Sequence, residues 1–115
     1  KKPVRYGRVY WIEDARGRFL IEKRKGEGLY AGMYQLPTTA WLTDKSQLER
    51  APRGAMPTGR TVTHSFTHFD LVLEIWSAKA AKRSHGDFID AADMDGYALP
   101  TLMRKAVKMC RQQAA

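Results

Sequence analysis

The sequence predicts an α+β fold in which a mixed β-sheet is flanked by helices and the C-terminal helix packs on the sheet. Several segments are rich in β-branched and aromatic residues and alternate with a period of two, as strands do. An amphipathic segment follows Pro100, a residue favoured in the first turn of a helix. The length of 115 residues suits one domain, and the hydrophobic fraction of 43% lies in the globular range.

The first third of the chain is predicted to be a β-hairpin and a loop. Residues 4–13 form the first strand, residues 14–17 a turn that ends in glycine, and residues 18–24 the returning strand. A glycine-punctuated loop over 26–32 then leads to a short extended piece at 33–37.

The middle of the chain is predicted to hold a short helix and a mobile loop. The helix spans 43–50, with Thr43 or Asp44 as its N-cap. Two prolines and two glycines within 51–59 indicate the mobile loop.

The second half is predicted to contain two long strands, a short strand and the final helix. Residues 61–68 run as a strand into a turn, and residues 69–78 form the clearest strand. A short strand lies around Phe88 and Ile89, followed by a polar loop. The helix over 100–112 carries an apolar stripe of Leu102, Met103, Ala106, Val107 and Cys110.

Charge and composition favour a nucleic-acid partner and exclude a membrane span. The net charge is +8, which favours binding to nucleic acid. No apolar run approaches the ~18 residues that a bilayer requires. A single cysteine, Cys110, cannot form an intrachain disulfide, which fits a reducing cytoplasm, and we expect a buried structural thiol. Residues 1–3 are polar and contain proline, so we interpret them as the remnant of a linker that precedes a domain at 4–115.

Two motifs carry the functional prediction. The first is a loop with the sequence Gly28-Leu29-Tyr30-Ala31-Gly32-Met33-Tyr34-Gln35-Leu36-Pro37. Taken alone, this loop is as compatible with a tight connection that carries aromatic core residues as with a functional loop. The second places two histidines, two hydroxyls and two aromatic rings within six residues, at His64-Ser65-Phe66-Thr67-His68-Phe69. Cross-strand packing would explain this segment too, and a metal site is not expected, because only Asp70 could complete a ligand set.

Together these motifs, in the same order and spacing, resemble the C-terminal domain of MutY-type adenine DNA glycosylases. That family has a Lys/Arg-Arg hairpin end before a Gly-Leu-x-x-Gly loop, and a His-x-Phe-Ser-His turn further on. The resemblance implies a Nudix-like fold that recognises 8-oxoguanine opposite the adenine to be removed. Two residues depart from the family pattern: Gln35 stands where glutamate is usual, and Thr67 stands where serine is usual.

The resemblance also assigns site residues. We expect lesion recognition by Phe66, Thr67 and His68, with Ser65 in a secondary role, because a hydroxyl can both accept from the N7–H of the lesion and donate to its new oxygen. The predicted contacts to the DNA backbone are Arg18, Lys23, Arg24, Lys25 and His64. The family loop is marked by Gly28, Leu29, Gly32, Tyr34 and Pro37. No catalytic or metal-binding residue is expected in this chain.

The implied partners are duplex DNA with an A:8-oxoguanine mispair and an N-terminal catalytic domain of the same protein. Adenine excision and an iron–sulfur cluster are expected in that domain, since a cluster needs about four cysteines and this chain has one. We expect a monomer in a bacterial cytoplasm, acting at the nucleoid, without a cofactor of its own.

Two alternatives stay open. The first is an active Nudix pyrophosphohydrolase on oxidised nucleotides, which needs a glutamate-rich helix for divalent metal, whereas the equivalent stretch here offers only Asp44 and Glu49. The second is a binding module for RNA or for a protein.

Overall fold

The computed structural model describes residues 2–26, 28–81 and 84–113. Within these residues the strands are β1 (Val4–Glu13), β2 (Phe19–Lys23), β3 (Tyr34–Gln35), β4 (Met56–Ser65), β5 (Asp70–Lys79) and β6 (Asp87–Ile89). Two short 3₁₀ helices, η1 (Lys45–Gln47) and η2 (Ala91–Gly96), and one α-helix, α1 (Thr101–Gln113), complete the described elements. The predicted α+β class is therefore confirmed.

The strands form one mixed sheet in the order β3-β2-β1-β5-β4, with β6 paired to β2. β1 and β5 run parallel along their full length, from Val4 opposite Asp70 to Glu13 opposite Lys79. The other pairs are antiparallel, including the predicted β1–β2 and β4–β5 hairpins. Because of the parallel pair, the turn that joins β4 to β5 lies beside the start of β1.

The core lies between the sheet and α1. Val62, Leu71, Leu73 and Ile75 are at most 1% exposed on the sheet side. The apolar stripe predicted for the helix is confirmed, since all five of its residues are buried: Leu102, Met103, Ala106, Val107 and Cys110. Burial raises the pKa of the Cys110 thiol to about 12, which keeps it protonated and unreactive at neutral pH.

Two predictions for the middle of the chain were wrong. The helix expected over 43–50 is only the 3₁₀ turn Lys45–Gln47, because the segment has no apolar stripe to bury and tertiary contacts hold it instead. Lys45 pairs with Glu74 at 2.9 Å, and Arg8 donates to the carbonyl of Glu49. The expected loop over 51–59 ends early, since β4 begins at Met56 and accommodates its proline and glycine in a bulge after Pro57.

The described helices are too short and too polar to cross a bilayer.

Candidate nucleic-acid interface

A four-residue turn, residues 66–69, joins β4 to β5 at the edge where β1 begins. The amide of Phe66 donates to the carbonyl of Phe69 at 2.8 Å, which closes the turn. Thr67 and His68 occupy its tip, and both are exposed. The sequence motif therefore places a hydroxyl and an imidazole together at a protruding corner of the sheet.

Lys2 fixes the base of this turn. Its Nζ atom donates to Ser65 Oγ at 2.6 Å and to the Phe66 carbonyl at 2.9 Å, and it lies 3.2 Å from the carboxylate of Asp70. Ser65 Oγ in turn donates to Asp70 Oδ1 at 2.7 Å. These hydrogen bonds, first from Ser65 and then from Lys2, lower the pKa of Asp70. The hydroxyl of Ser65 is thus engaged in hydrogen bonds within the protein, and its secondary role in recognition stays a prediction.

Behind the turn, Phe66 is the centre of an aromatic cluster formed by Tyr30, Trp41, His64, Phe66 and Phe69. Centroid distances from the Phe66 ring are 4.7 Å to His64, 4.8 Å to Phe69, 5.8 Å to Tyr30 and 6.0 Å to Trp41. Phe66 and Phe69 are half-buried and pack against the core, so the aromatic residues of this turn also have a structural role. Phe66 therefore anchors the turn to the core.

The cluster also joins the two sequence motifs. Tyr30 belongs to the glycine loop, where its φ of +63° is a left-handed conformation that few non-glycine residues adopt. Gly28 and Gly32 on either side of it also have positive φ, at +99° and +82°. This backbone path aims the Tyr30 ring at Phe66 and leaves the loop, including Leu29 at 43% exposure, open to solvent. Segments more than thirty residues apart thereby form one surface.

Two arginines bracket the aromatic cluster. The guanidinium carbon of Arg24 lies 4.6 Å from the Trp41 ring centroid, and that of Arg5 lies 4.4 Å from the Phe69 ring centroid. Both distances suit cation–π attraction. The sequence indicated neither Trp41 nor Arg5, because they come from segments outside both motifs and only the folded sheet brings them together.

Arg24 is held by the glycine loop. It donates through Nε to the Leu29 carbonyl at 3.0 Å and through Nη1 to Gln35 Oε1 at 2.8 Å. The Gln35 amide then donates to Glu22 Oε2 at 3.4 Å. Gln35 is only 7% exposed, and its two-sided contact explains the departure from glutamate, since a carboxylate here could not donate to Glu22.

The remaining loop residues serve the fold. The Tyr34 ring packs edge-on against Tyr97, with centroids 5.0 Å apart. The carbonyl of Pro37 accepts from the Tyr10 amide at 2.8 Å, so the end of the motif is tied to β1.

Three of the predicted DNA-backbone residues, apart from Arg24 and His64, lie in two separate places. Lys23 and Lys25 are exposed on either side of Arg24 in the chain, and of these three residues Arg24 contacts the aromatic cluster. Arg18 does not belong with them: it pairs with Asp14 at 2.8 Å at the opposite end of β1. At ~3.3 Å per residue, the length of β1 separates Arg18 from the 66–69 turn by roughly 30 Å. Arg18 is therefore remote from the turn, because the turn and the β1–β2 connection lie at opposite ends of β1, and its contact with the DNA backbone stays a prediction.

His64 lies on the other flank of the turn, beside α1. Its Nδ1 atom is 3.4 Å from Nζ of Lys105, which also donates to the Thr63 carbonyl at 2.7 Å. Burial, and then the charge of Lys105, lowers the pKa of His64, which favours the neutral form of the imidazole. Lys105 is a further cation at the turn that the sequence did not indicate.

Asp44, one of the acidic residues between β3 and β4, is engaged in hydrogen bonds within the protein. Asp44 caps η1 by accepting from the amide and hydroxyl of Ser46, at 3.0 and 2.7 Å, and these bonds lower its pKa. In the part of the chain that the structure describes, histidine, cysteine, aspartate and glutamate side chains nowhere gather in a group of three able to hold a metal ion.

A mixed sheet with a parallel β1–β5 pair, a covering C-terminal helix and a loop-and-turn surface defines a Nudix-like α+β domain. The chain belongs to the NUDIX domain family, whose family model matches residues 8–109. The Nudix-like fold predicted from the two motifs is thereby confirmed.

Solved structures share this fold at low sequence identity. The C-terminal domain of mouse MUTYH, in complex with human PCNA, is 18% identical with a TM-score of 0.71, and the match covers 96% of this chain and 89% of that chain. The MutT protein from Methanosarcina mazei Go1 is 12% identical with a TM-score of 0.69, covering 99% and 97% of the two chains. The Nudix hydrolase RenU from M. smegmatis is 12% identical with a TM-score of 0.51, covering 98% and 86%. No curated protein matches the sequence.

Proposed function

We propose that this domain recognises 8-oxoguanine opposite adenine in duplex DNA, as the C-terminal domain of a MutY-type adenine DNA glycosylase. One observation carries the proposal: the exposed Thr67 stands at the tip of a hydrogen-bonded turn whose aromatic base is bracketed by arginines. The likeness to the mouse MUTYH domain supports the fold that such a role requires.

The chemistry of Thr67 suits the lesion. Guanine offers two acceptors, N7 and O6, in the major groove, whereas oxidation turns N7 into an N–H donor and adds an acceptor at position eight. A hydroxyl can accept from that N–H and donate to that oxygen, which lysine and arginine cannot do. Thr67 keeps the hydroxyl of the usual serine, and its methyl group restricts the side-chain rotamer. His68 is exposed beside it, and its role would be a contact to the neighbouring phosphate.

Adenine excision would belong to a catalytic domain of the same protein, with its iron–sulfur cluster. Equilibrium binding to otherwise identical duplexes that contain A:8-oxoguanine or A:G tests the proposal. We expect tighter binding to the oxidised mispair. Equal affinity for both duplexes would contradict it and would favour a general nucleic-acid or protein-binding module, a role compatible with the complex that the mouse domain forms with PCNA.

Lys25→Ala is expected to weaken binding to both duplexes by the same factor. Lys25 is exposed and follows Arg24 in the chain, and a phosphate contact carries no information about the base. Each lost phosphate contact on duplex DNA lowers the slope of log affinity against log salt by about 0.9. A salt titration measures it, with Arg16→Ala as the control, because Arg16 is exposed in the turn at the far end of β1. If the salt slopes of Lys25→Ala and Arg16→Ala differ from that of the unmodified chain by the same amount, Lys25 makes no phosphate contact specific to this interface.

The NUDIX family membership and the likeness to MutT raise a second candidate, hydrolysis of oxidised nucleotides. We expect the purified chain, with magnesium or manganese, to leave oxidised dGTP, dATP and ADP-ribose unhydrolysed above a blank without protein. The reason is that Asp44 is engaged as a cap and η1 is too short to present carboxylates on one helical face. Turnover that a chelator and Glu49→Gln both abolish would establish the hydrolase instead.

A further inference from the structure

Arg24 occupies an unusual position for a residue of a basic hairpin end. Its neighbours Lys23 and Lys25 are exposed, whereas Arg24 is half-buried and its guanidinium is held at three points. Two are the hydrogen bonds to the Leu29 carbonyl and to Gln35, and the third is the ring face of Trp41. A side chain used in this way is not primarily a phosphate contact.

The contacts of Arg24 continue to the turn through Trp41. The Trp41 and Phe66 rings are stacked at an interplanar angle of 26°, and Phe66 directly precedes Thr67. Trp41 is also restrained by a hydrogen bond, since its Nε1 donates to Thr38 Oγ1 at 3.2 Å. A change in the tilt of the Trp41 ring would therefore move Phe66 and, with it, the backbone that carries the Thr67 hydroxyl.

The geometry points to Arg24 as a positioning residue for the reading turn: held by Gln35 and Leu29, it presses Trp41 against Phe66 and so sets the orientation of Thr67. This inference rests on the proposed function of the turn. It assigns to Arg24 an effect on the discrimination between lesion and guanine, and not only on affinity for DNA.

Arg24→Lys gives the sharpest test, because it keeps the positive charge and the aliphatic stem. An ammonium group cannot reproduce the planar guanidinium that stacks on Trp41 while bonding to two acceptors. We expect affinity for the A:G duplex to stay within about twofold, since the charge near the phosphates is unchanged. The ratio of A:8-oxoguanine to A:G affinity should fall by about fivefold, the scale of a lost cation–π contact.

Arg24→Met removes the charge as well, and Arg16→Met is its matched control at the far end of β1. NMR spectra of each variant provide a readout that does not depend on DNA. We expect the Trp41 indole N–H and the Thr67 and His68 amide signals to shift in both Arg24 variants and to stay unchanged in Arg16→Met.

The outcomes separate this inference from the proposed function. If the unmodified chain shows no preference for the oxidised mispair, the proposed function fails. If it shows the preference and the folded Arg24→Lys variant retains it with unchanged Thr67 signals, Arg24 does not position the turn. A fall in affinity for both duplexes alike would make Arg24 a phosphate contact and would also overturn the inference.

Discussion

Thr67→Val is expected to abolish most of the preference of this domain for A:8-oxoguanine over A:G. Valine has nearly the same shape as threonine, so the change removes the hydroxyl and leaves the turn intact. Without the hydroxyl, the N7–H of the lesion has no acceptor in the complex, at a cost of roughly 1–3 kcal/mol. The affinity ratio should therefore drop between about fivefold and about a hundredfold, as competition binding with the two duplexes would measure.

Thr67→Ser is the matched control, and we expect it to keep the preference because the hydroxyl remains. The fold is not at risk in either variant, since Thr67 is exposed at the tip of the turn. Adding Phe66→Ala to Thr67→Val should raise the loss to about 2–4 kcal/mol, but it also opens the aromatic cluster. A folded Thr67→Val variant with the full preference would show that the turn is structural and that another group reads the base.

Gly86→Ala is expected to lower the free energy of unfolding by about 3 kcal/mol or more. Gly86 has a φ of +119°, which other residues rarely adopt, and it precedes β6. A Cβ atom there would overlap the backbone carbonyl oxygen of Ile21 and lie 3.2 Å from Leu20 Cδ1. Because the obstacle is backbone of the paired strand, it can move only if the β2–β6 pairing is disrupted. Urea denaturation would measure the loss.

Gly17→Ala is the control that distinguishes the cost of backbone strain from the cost of the overlap with Ile21. Gly17 also has a positive φ, +77°, but nothing lies within 4 Å of the Cβ it would gain. We expect it to cost about 1 kcal/mol, the ordinary penalty for a left-handed residue with a side chain. Equal losses in the two variants would mean that the contact with Ile21 is relieved at little cost.

Local patterns predicted the elements well where burial follows a simple period. The alternation in 69–78 matches β5, whose Leu71, Leu73 and Ile75 are buried, and the stripe in 100–112 matches α1. The helix expected at 43–50 does not form, although its residues include an N-cap and helix formers. It has no apolar face to bury, so packing does not stabilise more than one turn. Helix propensity alone, without an apolar face to bury, therefore did not predict this segment correctly.

The sequence likewise predicted one part of the candidate site and not the other. The order and spacing of the two motifs were sufficient to predict the family and to select the 66–69 turn. They could not predict that Ser65 is engaged by Lys2 and Asp70, nor that Gln35 connects Glu22 to Arg24. Each of these contacts joins segments whose separation in the chain gives no periodic signal.

By itself, the sequence determined the α+β class, the hairpins, the buried stripe of the final helix and the residues at the tip of the turn. Only the tertiary structure decided which cations accompany that turn. The parallel pairing of β1 with β5 brings Lys2 and Arg5 to it, and the packing of α1 brings Lys105. The same pairing leaves Arg18 at the opposite end of the sheet, because a strand of ten residues spans roughly 30 Å. Register and strand order fix such distances, and they arise from the burial of the whole core rather than from any local pattern.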